Sequence, residues 1–135
     1  MKTIGITTTI PLECLLAAGC RVVDLNNLFI SHPNPGSLVD IAEGAGFPLN
    51  TCTWIKGIYG ACIENRIGTV ICVTGGDCSN TLMLMEVLQL KGIKAVPFAY
   101  PASPNYDLMK AEMEKLCQAL GTSMTAAEET RRKLV

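Results

Sequence analysis

The chain carries a single histidine, His32, and none of its seven cysteines belongs to a Cys-x-x-Cys pair. That spacing argues against a zinc ribbon, a thioredoxin-type redox motif and a bacterial ferredoxin. Any metal site would have to be assembled from residues distant in sequence, and with one histidine it would be thiolate-based. Charge of either sign is also in short supply. With 11 basic and 12 acidic residues the net charge is −1, so there is no electrostatic footprint for nucleic acid. No apolar run approaches the roughly 20 residues of a membrane helix. The chain opens on the strand-like Lys2-Thr-Ile-Gly-Ile-Thr7 without the h-region of a signal peptide, which predicts a cytoplasmic protein. The glycine pair Gly75-Gly76 lacks the lysine of a P-loop and the third glycine of a dinucleotide fingerprint. A Ser-His-Asp triad would need His32, which sits in a loop, and no nucleophile elbow accompanies it. Repeats and low-complexity segments are absent.

What remains is apolar. Hydrophobic residues make up 49% of the 135 positions and the mean hydropathy is +0.32. One domain of this length can bury a real core. Two explanations fit the excess: a parallel sheet covered on both faces, or an apolar surface buried against a partner, for which a dimer is the expectation. The cysteine count is odd and no secretion signal is evident, so a disulfide framework is not expected.

The pattern predicts a first strand over Thr3–Thr7, then a short helix Leu12–Ala18 entered at Pro11, with Thr9 or Ile10 near the cap. Glu13 is well placed against the helix dipole, and Gly19 closes the helix. Cys20–Leu25 reads as the second strand. Asn26–Ser37, with two adjacent asparagines and two prolines, reads as a loop. A short helix over Leu38–Ala45 follows, then a longer one from Cys52 to about Asn65, where Ile55, Ile58, Tyr59 and Cys62 recur at helical spacing.

Ile67–Val73 is β-branched and bounded by glycines, as a strand buried on both faces should be. The next helix starts among Asp77, Ser79 and Asn80 and runs to Lys91-Gly92. Ile93–Phe98 is the fourth strand, and Ala99–Pro104 a proline-rich loop. Tyr106–Leu120 is an amphipathic helix with Leu108, Met109, Met113, Leu116 and Leu120 on its buried side. Thr125, with Glu128 in the capping-box position, opens the last helix. The sum is a three-layer, Rossmann-like α/β domain over residues 1–135: a four-stranded parallel sheet, right-handed crossovers, and helices on both faces.

Open α/β sheets bind ligands at the carboxyl ends of their strands. The candidate residues at that edge are cysteines at helix starts. Cys78 follows the Gly75-Gly76 turn, where a thiolate gains from the helix dipole and amide donors. Cys52 starts a helix after Pro48 and Asn50, so the two thiols could converge on one metal centre. Cys72 and Cys117 are most simply core residues, as are Cys14 and Cys20. Cys62 lies about three turns beyond Cys52, roughly 15 Å along the helix, too far to share a small cluster easily. Glu13 and Asp24 could act as acids or bases, or serve only as a helix-start charge and a strand-end carboxylate. His32 reads as a surface loop residue.

Three groups of stretches carry a family resemblance. The first is Gly5-Ile-Thr-Thr-Thr-Ile-Pro-Leu-Glu13, with Ala17-Ala-Gly19 and Asp24-Leu-Asn-Asn-Leu-Phe-Ile30. The second is Gly46-Phe-Pro-Leu-Asn-Thr-Cys-Thr-Trp-Ile-Lys-Gly-Ile-Tyr59. The third is Gly76-Asp-Cys-Ser-Asn-Thr81 with Pro97-Phe-Ala-Tyr-Pro101. Together, and in order along nearly the whole chain, they resemble the double-cubane cluster proteins. These lie within the wider family of 2-hydroxyacyl-CoA dehydratases and benzoyl-CoA reductase subunits. The resemblance implies a cytoplasmic protein with an iron–sulfur cluster, 4Fe-4S or double cubane, for which Cys52 and Cys78 match the first-domain ligands. It implies electrons of low potential from an ATP-hydrolysing activator protein. It also implies, where there is a substrate, an acyl-CoA lying over the edge near Thr7, Thr8, Thr9 and Tyr100. The wording around Thr7–Thr9 and Asp24–Ile30 leans to the double-cubane branch. Family members run to well over twice this length, and their second domain, with the remaining cluster ligand, has no counterpart here. The chain is therefore expected to be a fragment, a split subunit completed by another polypeptide, or a fold without its cluster, and inactive alone. The rival reading is a non-catalytic α/β binding or assembly module.

Overall fold

A computed structural model describes residues 2–76 and 80–134. Its elements are β1 (Thr3–Ile6), α1 (Leu12–Ala17), β2 (Arg21–Asp24), α2 (Leu25–Ile30), α3 (Pro35–Gly44), α4 (Thr53–Glu64), β3 (Thr69–Gly75), α5 (Asn80–Leu90), β4 (Lys94–Ala99), α6 (Tyr106–Leu120) and α7 (Met124–Leu134). The four strands are parallel, in the order β2-β1-β3-β4. This is the expected α/β architecture, with helices on both sheet faces.

The strand residues alternate between two cores, as a pleated sheet requires. Ile4, Ile6, Ile71, Val73, Val96 and Phe98 pack with α1, α6 and α7. Val70 and Cys72 face the other way, onto α4 and α5. Pro97 costs the sheet little, because β4 is an edge strand and proline's missing donor matters least there.

Helix α4 is the centre of the second face. Every residue from Ile55 to Cys62 is buried, because the sheet lies on one side and α2 and α3 on the other, where Phe29, Leu38 and Ala61 form a small core of their own. Two glycines make that approach possible. A Cβ on Gly57 would strike the Phe29 ring, and one on Gly60 would strike the Leu38 backbone. Glycine normally weakens a helix interior. Here it sets the distance between helices.

Four local expectations are corrected. Residues 26–37 are not all loop: α2 follows β2 directly, and the Asp24 carboxylate caps it by accepting from the Asn26 amide at 2.9 Å. Pro35, read as part of that loop, is the first residue of α3, where a proline loses no helical hydrogen bond. The last helix is capped by Ser123, whose Oγ accepts from the Ala126 amide at 3.2 Å, and Glu128 pairs with Arg131 and Arg132 instead of closing a capping box. In α6 the bounds match expectation. Leu116 is buried, but Leu108 is half exposed, turned out in the first turn beside the Asn105 cap. No helix among the described residues is long and apolar enough to cross a membrane.

Candidate functional site

Between β1 and β3 the chain reverses its direction of travel across the sheet, since β2 lies outside β1 and β4 outside β3. Such a switch point opens a crevice at the strands' carboxyl ends. Thr7 stands in it, 5% exposed. Its Oγ1 donates to the Ile71 carbonyl at 3.5 Å and accepts from the Val73 amide at 3.4 Å, extending the β1–β3 pairing past the end of the strand.

Around the crevice lie Thr7 and Thr8 after β1, Asn26 in α2, Trp54, Ile55 and Ile58 in α4, and Thr81 in α5, enclosing a hollow of about 330 Å³. Its walls are cross-linked. The Trp54 indole N–H donates to Asn26 Oδ1 at 2.5 Å, and Asn26 Nδ2 donates to the Thr7 carbonyl at 2.8 Å and to Asp24 Oδ1 at 2.9 Å. Trp54 also meets Phe29 edge to face, ring centroids 5.2 Å apart. Asp24, considered from sequence as a possible acid or base, is thus committed to capping and bracing.

Thr9 and Tyr100 form a second part of the edge. The Tyr100 hydroxyl donates to the Thr9 carbonyl at 2.7 Å, and its ring stacks edge to face on Phe98. Burial, and then the nearby Glu13 carboxylate, raise the Tyr100 pKa, so the phenol stays protonated and keeps its role as donor. Tyr100 lines a separate hollow with Pro101 and Met109 rather than the Thr7 crevice. The four candidate edge residues therefore divide. Thr7 and Thr8 border one hollow, Tyr100 borders another, and Thr9 joins Tyr100 through its carbonyl.

The cysteines separate sharply by environment. Cys14, Cys20, Cys62, Cys72 and Cys117 are buried, whereas Cys52 is exposed. Burial pushes the Cys62 and Cys72 thiols up to about 12. Burial also raises Cys14, reinforced by its hydrogen bond with Cys117. These thiols remain protonated and enclosed, which suits core packing and not ligation. Cys52 is the residue before α4, and its side chain does not cap the helix. It is a free, exposed thiol two residues before Trp54, which borders the crevice. Cys78, the other candidate ligand, lies outside the described residues, as do Asp77 and Ser79, the expected caps of α5; Thr81, three residues further on, borders the same crevice. Among the described residues no group of three or more His, Cys, Asp or Glu side chains is arranged to hold a metal ion.

His32 bonds Glu64 Oε2 through Nε2 at 2.8 Å while Nδ1 accepts from the Asn34 amide at 2.9 Å, tying the α2–α3 turn to the end of α4. Lys56, which sequence reasoning passed over, is buried. Its ammonium donates to Glu43 Oε2 at 2.7 Å and to the Leu49 carbonyl at 2.8 Å, anchoring the segment that leads into Cys52. Its only signal in the sequence was a lysine set among apolar residues on a helix. Comparison with known proteins found no matching family model and no matching curated protein.

Proposed function

We propose that this chain is an iron–sulfur cluster-binding domain of a 2-hydroxyacyl-CoA dehydratase-like or double-cubane reductase, working in the cytoplasm. Cys52 and Cys78 are the ligands it supplies. The observation that carries the reading is the contrast among the thiols: of the six described cysteines, the one at a motif-matching helix start is the one exposed.

An exposed thiol at the start of α4 fits a terminal cluster ligand. Two thiolates are fewer than a cubane's four irons call for, so the other donors come from a second domain, a partner subunit or another copy. Such a cluster supplies one-electron chemistry of low potential, with an ATP-hydrolysing activator as the electron source and an acyl-CoA as the candidate substrate. The chain's own part is positional. Lys56 braces the approach to Cys52, Thr7 locks β1 to β3, and Trp54 with Asn26 fixes the crevice wall.

The test is anaerobic purification and reconstitution of wild type, Cys52→Ser, Cys78→Ser and Cys20→Ser, read by visible absorption. The brown chromophore is expected in wild type and Cys20→Ser and lost in the other two. A chromophore indifferent to Cys52 and Cys78 overturns the proposal. The second reading is an α/β binding or assembly module without a cluster. Colourless wild-type protein would favour it.

A further inference from the structure

The geometry points to a small-oxyanion site in the crevice between β1, α4 and α5, one that takes an anion the size of acetate or inorganic phosphate. It shares the start of α4 with the cluster proposal, since Cys52 is the residue before that helix, but none of its donors is a cysteine side chain.

The first observation is Thr81. The residue is 1% exposed and borders the hollow, yet its Oγ1 has no hydrogen-bond partner among the described residues. A buried hydroxyl without a partner is costly, and native proteins seldom leave one unless something else satisfies it. The second is the start of α4, a helix of 12 residues whose N-cap residue, Cys52, makes no side-chain cap bond. Trp54 and Ile55, in that first turn, form part of the same wall. Uncapped amides at a helix N-terminus favour an anion through their donors and the helix dipole.

The rest of the wall agrees with the sign. Among the described residues no acidic side chain lines the hollow. The nearby Asp24 carboxylate already accepts from the Asn26 amide and side chain, and Asn26 and Thr7 are spent on the bonds described above. What is left without a partner among the described residues is a set of donors, the Thr81 hydroxyl and the first-turn amides of α4. The volume of about 330 Å³ admits a small anion with room for water or a short substituent against Ile55 and Ile58.

Trp54, the only tryptophan in the chain, is part of this wall, so its fluorescence is a built-in reporter. The experiment titrates cluster-free protein with sodium acetate and, separately, sodium phosphate, at constant ionic strength held with sodium chloride. Fluorescence and the backbone amide shifts of Thr53–Ile55 are followed together. Thr81→Val keeps the shape of the side chain and removes the unpaired hydroxyl, so it should unfold at a temperature no lower than wild type. We expect a saturating response to at least one anion, weakened roughly tenfold by Thr81→Val, as loss of a hydrogen bond to a charged group requires. Saturation by acetate alone assigns a carboxylate site, and by phosphate alone a phosphate site. A response that is linear in salt, or equal in wild type and Thr81→Val, overturns the proposal.

Discussion

Gly60→Ala should unfold the packing of α4 against α3, and the size of the loss can be worked from the geometry. A Cβ at Gly60 would stand 2.6 Å from the Leu38 carbonyl carbon and 2.7 Å from its Cα. Both are backbone atoms, so no rotamer change relieves the clash. The Leu38 carbonyl oxygen lies nearer still, so restoring ordinary contacts of about 3.5 Å needs α3 to retreat by more than about 1 Å. That retreat would loosen Leu38, Phe29 and Ala61, which form one cluster. Overpacking of this kind costs up to about 3 kcal/mol. Alanine's better helix propensity returns about 1 kcal/mol, leaving a net loss of about 2 kcal/mol, or about 8 °C in Tm for a chain this size. The control is Gly44→Ala, in α3, where an added Cβ meets nothing within 4 Å. It should stabilise by about 0.5 kcal/mol. Urea denaturation of the three proteins, with matching m-values, measures both. If Gly60→Ala proved as stable as Gly44→Ala, the claim that Gly60 sets the α3–α4 distance would be wrong.

Lys56→Met keeps the aliphatic stem and removes the ammonium that holds Glu43 and the Leu49 carbonyl. Because Glu43 is partly exposed and can re-enter water, the loss should be about 2 kcal/mol rather than that of a fully buried broken pair. A urea-denaturation double-mutant cycle with Glu43→Gln should show coupling, and strict additivity would contradict the pairing. In native protein at pH 8, peptide mass spectrometry after iodoacetamide treatment should find Cys52 alkylated within minutes, while Cys14, Cys62, Cys72 and Cys117 wait for denaturant. Fast labelling of any of those four would refute its placement. The fold favours the protonated Cys62 and Cys72 thiols, raising them from an ordinary 9.0 to about 12. Their contribution to stability is therefore complete below pH 9 and lost as pH rises toward 12. Urea midpoints across that range should fall more steeply for wild type than for a Cys62→Ala/Cys72→Ala variant.

The parts of the fold that were legible in the sequence are those whose periodicity and punctuation agree. Helix α6 is bracketed by Asn105 and Gly121 and repeats its apolar residues at helical spacing, so its bounds follow directly. Strand β3 is a β-branched run between glycines. Helix α2 was hidden because Asn26 and Asn27 are weak helix formers, and what holds them is a local cap from Asp24 together with a tertiary bond from Trp54 to Asn26. Gly57 and Gly60 argue against a helix by propensity, and their value appears only when Phe29 and Leu38 are seen against them. At the site, Cys52 was legible as a thiol at a helix start. The unpaired Thr81 hydroxyl and the buried Lys56 were not, because nothing in a residue's type or spacing reveals which groups a distant segment will enclose.

The most direct test of the account is a count of iron and acid-labile sulfide per chain after anaerobic reconstitution of wild type and Cys52→Ser, with EPR of the dithionite-reduced samples. The account predicts stoichiometric iron and sulfide with a reducible cluster signal in wild type, and loss of both in Cys52→Ser. A Cys52→Ser protein holding as much iron and sulfide as wild type, with the same signal, would contradict it.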